Sequence, residues 1–398
     1  MKIKLCHLGQ FYSAVNSEKN PGTYSVGVHL KEPLKPKVLQ QAANDLIKRL
    51  PHMNVRGHSG FFHYYNVASG KPLKIEKINA RTQPCRHFKK GSQLLRILYG
   101  RRHFTLEVLH SVCDGRSLAM AASSLLIRYY ELMELKADKS GFVDCAAAPD
   151  KEEAEDAYLS HADMRKSKSK KTENVYIPKF QPAKHRIITH KFEIAELKPR
   201  AKAHGITLTE YIMAGIFTEY AKLRAKEDVE KPITCSIPID CRGFFPTKSL
   251  RNFVTHKIVK MPETTDFAKM VAGIKKQFET ITPDFVQEKI SEMERLIRLG
   301  RFVPLFIKKW AIKGVGHSAT AGCSTAFSNL GLIKLPAKIQ DKVDMYTFAL
   351  GPEPDVPHLF ACVATGGTLT LTITTSAKDI SIMERIGKNL KEVQAYGA

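Results

Sequence analysis

The sequence predicts a mixed α/β fold (α+β in the sense of mixed sheets) arranged as two domains or two equivalent halves. Three observations carry that expectation. At 398 residues the chain exceeds the size at which a single hydrophobic core keeps growing. Strand-like and helix-like apolar patterns alternate through both halves instead of segregating. Between the halves, residues 136–180 change character: an acidic stretch (150–156) gives way to a basic one (164–171), then to Ile177-Pro178 and Gln181-Pro182. The division is placed there, with residues 1–175 as the first lobe and 176–398 as the second. The charge runs are read as solvated linker in preference to a docking surface.

In the first half, residues 23–30 read as a strand stopped by Lys31-Glu32-Pro33. Residues 36–49 follow, with Pro36 at the start and Val38, Leu39, Ala42, Ala43, Leu46 and Ile47 at helical spacing; Pro51 ends the run. Residues 61–67 form another strand candidate. Apolar runs at 94–99 and 103–109 flank Gly100-Arg101-Arg102, the pattern of a β-hairpin, and 117–133 is an apolar-periodic helix without Gly or Pro. The second half opens with a strand at 187–192 and a helix at about 207–226, capped by Thr207 or Thr209. Strands follow at 233–239 and 253–259, then helices at 265–280 and 288–313, the latter kinked or broken by Pro304. Strands at 325–327, 345–350, 360–365 and 368–375 come next, the last two joined by Gly366-Gly367. A helix at about 380–396 closes the chain.

Apolar residues make up 43% of the chain and charged residues 25%, which supplies two cores and excludes disorder of the whole. Lys and Arg number 62 against 39 Asp and Glu, a formal net charge of +23. A field of that sign attracts polyanions: nucleic acid, anionic lipid, the phosphates of coenzyme A, or an acidic carrier protein. Surface lysine kept for solubility accounts for it equally well, so charge alone does not choose. Nucleic acid is not expected, because there is no recognisable binding motif and a single Trp for stacking. The eight cysteines (6, 85, 113, 145, 235, 241, 323 and 362) are scattered without a CxxC pair, as reduced thiols in a cytosolic protein are. The segment from Met1 to His7 lacks the apolar core of a signal peptide, and no apolar run reaches roughly 18 residues. The expectation is a cytoplasmic protein.

The most informative stretch is Leu109-His110-Ser111-Val112-Cys113-Asp114-Gly115. A strand ends at His110, a short turn follows, and the long helix begins within two residues. A side chain at such a turn projects into a cleft while the sheet holds its backbone. Histidine is the side chain best matched to proton abstraction near neutral pH. Asp114 is placed to fix the loop through a charge-assisted bond to an arginine. Gly115 is expected to adopt a backbone conformation that a β-carbon penalises.

This segment resembles the HxxxDG signature of the chloramphenicol-acetyltransferase-like acyltransferase superfamily. That group includes nonribosomal peptide condensation domains, plant acyltransferases of the BAHD type and bacterial alcohol acetyltransferases. The motif falls late in the first half, as in condensation domains and alcohol acyltransferases. The stretch from Ile237 to Phe253, with Arg242 and Arg251, is similar to the second-half segment that supplies an arginine partner for the motif aspartate. Phe327-Ser328-Asn329-Leu330-Gly331, followed by Lys334-Leu335-Pro336, is similar to the Ser-Asn-Leu-Gly strand end of bacterial alcohol-acetyltransferase-like proteins. Leu109 stands where many condensation domains carry a second histidine, and the plant DFGWG motif is absent. Both departures bring the resemblance closest to a stand-alone bacterial acyltransferase.

The resemblance implies two lobes forming a V around a tunnel, with an acyl thioester entering from one face and the acceptor from the other. It implies that His110 takes the proton of an acceptor hydroxyl or amine as that atom attacks the thioester carbonyl, with no covalent enzyme intermediate. Asp114 is then structural and pairs with Arg242 or, as second choice, Arg251. Ser328 or Asn329 orients substrate or stabilises the oxyanion. The implied co-substrate is acyl-CoA, or a donor on an acidic acyl carrier protein; the acceptor is a small-molecule alcohol or amine. No bound cofactor and no metal are expected, and a monomer is, since the V already supplies both sides of the site.

Rival constellations are weaker. Cys113 beside His110 has no visible activating group for nucleophilic work. His103, His110, Cys113 and Asp114 match no zinc spacing. Gly314-Val315-Gly316-His317-Ser318-Ala319 matches GxGxxA but follows a basic helical run instead of a buried strand. Residues 295–313 mix large apolar side chains with six basic residues. They are read as a core-facing helix with a basic outer face, in preference to a membrane contact or the route of a lipophilic acceptor.

Overall fold

Strand pairing in the computed structural model, which describes residues 2–79, 84–163, 175–227, 230–315 and 322–392, follows the alternation read from the sequence and adds one crossing of the chain. A short strand β1 (Lys2–Lys4) and a helix α1 (His7–Val15) come first, neither marked by the apolar pattern. Strand β2 (Thr23–Leu30) leads to α2 (Pro36–Arg49), where Pro36 occupies the first turn and its missing N–H costs nothing. Strands β3 (Val55–Ser59) and β4 (Tyr64–Ala68) form a hairpin. The strand expected from 61 starts late because Phe61 and Phe62 occupy the turn. After β5 (Ile75–Lys77), β6 (Leu95–Tyr99) and β7 (His103–Leu109) pair antiparallel across Gly100 to Arg102. Helix α3 (Gly115–Glu131) then packs Leu118, Ala121, Ala122 and Leu125 into the first core.

The stretch read as a linker fastens the halves together. It contains α4 (Ala157–His161), and two of its acidic residues, Glu153 and Asp156, are largely withdrawn from solvent against arginines, while Glu152 forms an exposed ion pair. Glu153 pairs with Arg49, Glu152 with Lys248 and Asp156 with Arg251, so two of the three partners lie in the second half. The solvated-linker reading is corrected accordingly; the basic run 164–171 lies outside the described residues.

The second half begins with β8 (Pro182–Glu193), α5 (Ile194–Ala203) and α6 (Leu208–Lys226). A reciprocal capping box starts α6: the Glu210 N–H donates to Thr207 Oγ1, and the Thr207 N–H donates to the Glu210 carboxylate. Strands β9 (Thr234–Asp240) and β10 (Val254–Lys260) are antiparallel neighbours. Three helices follow: α7 (Phe267–Phe278), α8 (Pro283–Leu299) and α9 (Leu305–Val315). The last two replace the helix expected at 288–313, and their separation overturns the core-facing reading. Val286 and Ile290 of α8 and Leu305 of α9 turn inward, but Leu296, Leu299, Phe302, Phe306, Ile307 and Trp310 are exposed. The remaining elements are β11 (Thr325–Ile333), α10 (Ala337–Gln340), β12 (Val343–Leu350), β13 (His358–Thr365), β14 (Thr368–Ala377) and α11 (Ser381–Glu392). Residues 393–396 of the expected final helix lie outside the described residues.

Among the described residues, one sheet runs β12-β2-β7-β6-β5 and a second runs β10-β9-β11-β13-β14-β8, with β1-β4-β3 as a small third. Strand β12 belongs to the second half of the sequence but pairs antiparallel with β2 at the edge of the first-lobe sheet. That crossing decides the fate of β14. Its alternation of Thr with Leu and Ile suggests one wet face, yet both faces are buried. Leu369, Leu371 and Ile373 enter the second core. The threonines turn to β12: Thr370 Oγ1 donates to the Tyr346 carbonyl at 2.8 Å and Thr374 Oγ1 to the Leu350 carbonyl at 2.7 Å. Edge-strand carbonyls that the lobe interface would otherwise bury unpaired are thereby satisfied. No helix among the described residues is long and apolar enough to cross a membrane.

Because β12 completes the first sheet, residues 1–175 expressed alone should lack a cooperative thermal unfolding transition, whereas the full chain melts cooperatively. A sharp melt of that fragment in calorimetry would show that the first lobe does not need β12.

Candidate active site

The turn after β7 is held by one carboxylate. Asp114 is the N-cap of α3, and its Oδ1 accepts the Ser117 N–H at 2.9 Å. Its Oδ2 accepts from Arg242 Nη1 at 2.8 Å and from the Phe253 N–H at 2.9 Å. Asp114 is fully buried. Arg242 spends its other donors on Asp240, Ser117 Oγ and the carbonyls of Ser249 and Arg251. The two carboxylates beside it raise its pKa against the effect of burial. Arg251, the second-choice partner, lies instead against Asp156 and the carbonyls of Lys4 and Ala154.

Gly115 serves a purpose other than the one expected. It is not among the residues with positive φ. A β-carbon there would lie 2.9 Å from Leu330 Cδ2 and 3.3 Å from Phe348 Cζ, so close approach of the second-half chain requires the glycine.

His110 follows directly on β7 and is oriented from the other lobe. Asn252 Nδ2 donates to the His110 carbonyl at 2.7 Å, and Asn252 Oδ1 lies 3.1 Å from His110 Nδ1. Because the amide nitrogen must face the carbonyl, the oxygen faces the ring, and Nδ1 carries the hydrogen. Nε2 is left with its lone pair. Tyr12 of α1 stacks on the imidazole (4.4 Å between centroids, 6° between planes), and Tyr24 meets it edge-on at 4.8 Å. Burial lowers the His110 pKa below 6.5, and the negative charge of Asp114 opposes that shift. His256 of β10 is lowered to about 4 by burial and by its proximity to His110, and His7 to about 3 by burial and by His256. Three imidazoles around this point are therefore neutral at neutral pH.

A cavity of about 430 Å³ opens between the lobes. His110, Tyr12, Tyr24 and Met120 line it from the first half; Ser236, His256, Ser328, Leu330 and Phe348 line it from the second. Ser328 pairs with β13 through its backbone, and its hydroxyl lines the cavity with no side-chain hydrogen bond among the described residues. Asn329 is occupied: its Nδ2 donates to Thr209 Oγ1 at 2.8 Å and its Oδ1 accepts the Gly331 N–H at 2.7 Å. Those bonds hold the irregularity of β11 between Asn329 and Leu332 and use one of the two amide hydrogens.

The remaining candidates fall away from the chemistry. Cys113 is fully buried and its thiol is pushed up to about 12, the opposite of an activated nucleophile. His103 stacks on His29 at the far end of β7. The GxGxxA letters run into residues 316–319, outside the described residues. Sequence reasoning missed Asn252, Tyr12 and His256. Asn252 lay within a segment already singled out, but nothing in its spacing distinguished it.

No family model and no curated protein sequence matches the chain. Solved structures do match, over nearly its whole length. Polyketide synthase associated protein 5 from Mycobacterium tuberculosis is similar with a TM-score of 0.66 and 15% identity, covering 99% of this chain and 98% of that one. The first condensation domain of the calcium-dependent antibiotic synthetase, in complex with a substrate analogue, gives 0.65 and 13%, covering 98% and 96%. The starter condensation domain of rhizomide synthetase, in complex with C8-CoA and Leu-SNAC, gives 0.62 and 10%, covering 98% and 94%. At these identities the likeness shows the fold: this chain has the two-lobed, chloramphenicol-acetyltransferase-like architecture of condensation domains.

Asp114→Asn removes one charge of a buried pair, and because Asp240 stays beside Arg242 the loss should fall at the low end for such pairs, about 3 kcal/mol by chemical denaturation. A variant as stable as the parent would remove the structural role assigned to this contact. In nitrogen-detected NMR titration, His110 should appear as the Nδ1–H tautomer with a pKa below 6.5. Asn252→Ala withdraws a bond that favours the protonated ring, so it should lower that pKa further and mix the tautomers. An unchanged titration would show that Asn252 does not set the state of the ring.

Proposed function

We propose that this protein is an acyltransferase that moves an acyl group from a CoA thioester to an alcohol, with His110 as the general base. The observation that carries the reading is a neutral imidazole, fixed in one tautomer by Asn252, lining a cavity to which both lobes contribute. His110 Nε2 takes the proton of the acceptor hydroxyl while that oxygen attacks the thioester carbonyl. The tetrahedral oxyanion accepts a hydrogen bond from Ser328 Oγ. Collapse breaks the carbon–sulfur bond, completes the carbon–oxygen bond, and returns the proton from Nε2 to the departing thiolate. Protons and electrons balance without a covalent enzyme intermediate.

Support for a CoA donor comes from the +23 net charge, which suits the coenzyme's phosphates, and from a domain of this fold that was solved with C8-CoA bound. The same fold supports a second reading, amide formation from a carrier-bound donor, because the other similar structures include condensation domains of peptide synthetases. A non-catalytic binding module of this fold is the third. Against it stands the cost of keeping His110, Asn252, Asp114 and Arg242 in one satisfied network, which a docking surface does not require.

Thiol release from acetyl-CoA and longer acyl-CoAs, against pooled alcohols and amines, separates these readings. Acceptor-dependent release should fall by roughly 100- to 10,000-fold in His110→Ala, which keeps the parent's melting temperature. Because the protonated ring cannot act as base and its pKa is depressed, kcat/KM should be flat through neutral pH and fall only below 6.5. Release by His110→Ala at the parent rate would end the general-base assignment. Silence of the folded parent with every free acyl-CoA, but turnover with an acyl carrier protein, would select the second reading.

A further inference from the structure

The broken helix pair α8–α9 leaves large apolar side chains standing in water beside positive charge. Leu296 and Leu299 end α8, Phe302 lies in the connection, and Phe306 and Trp310 project from α9. Phe302 is 75% exposed and Trp310 79%, so neither gains appreciable stability from folding. The β3–β4 turn joins the same face. The Leu305 N–H donates to the Phe61 carbonyl, and Lys308 Nζ donates to the Phe62 carbonyl, each at 2.8 Å. Phe61 and Phe62 meet edge-on at 4.8 Å and are themselves exposed. Apolar side chains from three segments therefore converge on one surface, the kind of exposed patch that marks an interaction site.

The ionisable residues of this segment choose the partner. Residues 295–313 hold six Lys and Arg and no Asp or Glu. Arg301 lies over the Phe302 ring at 5.5 Å, and Lys309 over Tyr64 at 5.4 Å, so cations and aromatics are interleaved. A second copy of the chain docking through the same patch would set like charges against each other, on a molecule already at +23. A bilayer with anionic headgroups complements both components. Phe, Leu and Trp enter the boundary of the acyl chains while Lys and Arg reach the phosphates.

We propose that the face formed by the end of α8, by α9 and by the β3–β4 turn docks on anionic lipid bilayers. Trp310 is the only Trp in the chain, so its emission reports on this face alone. With vesicles of phosphatidylcholine containing phosphatidylglycerol, the full-length protein should co-sediment and its emission shift to the blue, and salt should weaken both effects. Vesicles of phosphatidylcholine alone should bind much less. The Phe302→Ser/Phe306→Ser variant should keep its melting temperature, since both side chains are exposed, and lose at least about tenfold in partitioning. Co-sedimentation without a blue shift would place binding on another basic surface and overturn the proposal, as would undiminished binding of the double variant. A blue-shifted emission in lipid-free protein that sediments as a dimer, lost in the variant, would assign the face to a second copy and overturn it equally.

Discussion

Asp114 holds three parts of the molecule with two oxygen atoms. Its Oδ1 starts α3, and its Oδ2 is shared by the Arg242 guanidinium and the first N–H of the segment entering β10. The first bond lies within the first half of the chain, and the other two reach across some 130 residues of sequence. Burying a carboxylate is costly unless it is paired and fully hydrogen-bonded, and here every bond depends on the others being in place. If the loop carrying Arg242 moves, the carboxylate loses its countercharge, and the turn that presents His110 loses its anchor. The position of the imidazole is thus a consequence of lobe docking. This is why an imidazole at the end of one strand depends on a loop that belongs to the other sheet.

What the sequence makes legible is the local part of this arrangement. The end of β7, the turn and the start of α3 are set by neighbours in the chain, so the order His110, Asp114, Gly115 carries its own meaning. Arg242 and Arg251 remained alternatives because only the antiparallel register of β9 and β10, with Asp240 opposite Val254, decides which guanidinium turns inward. Asn252 was hidden for a related reason. It has no periodic signal, and its function rests on a contact with a residue 142 positions away. The crossing of β12 is likewise invisible, since an alternating strand reads the same whichever sheet accepts it. Gly115 was singled out for a backbone conformation it does not adopt; its need comes from Leu330 and Phe348, which approach only in the folded chain.

The electrostatics of the site differ sharply from those of the surface. The exterior carries most of a formal +23, whereas the titratable groups around His110 are held uncharged by burial. The charged groups beside the ring, Asp114 and Arg242, neutralise one another at 2.8 Å. A polyanion is therefore attracted to the outside of the molecule, while the cavity around His110 is nearly neutral. That separation matters to a base. A lowered pKa keeps the lone pair of Nε2 available at neutral pH, and a nearby carboxylate limits how far basicity is lost.

Helix α1 draws these themes together, and it is the element the sequence concealed most completely. Its nine residues include Gly9 and the aromatic Phe11 and Tyr12, it has no side-chain cap, and it is too short to be stable alone. Packing must supply its order. From one end His7 lies beside His256; a turn later Tyr12 stacks on His110, and the same helix contacts both α8 and α9. The His110 ring and the exposed apolar face are thus joined by one helix. A displacement of α8 and α9 against α1 would be felt first by the aromatic ring lying flat on His110. Two different contacts thus fix the same imidazole: Asn252, from the loop before β10, sets its tautomer, and Tyr12, from α1, covers its face.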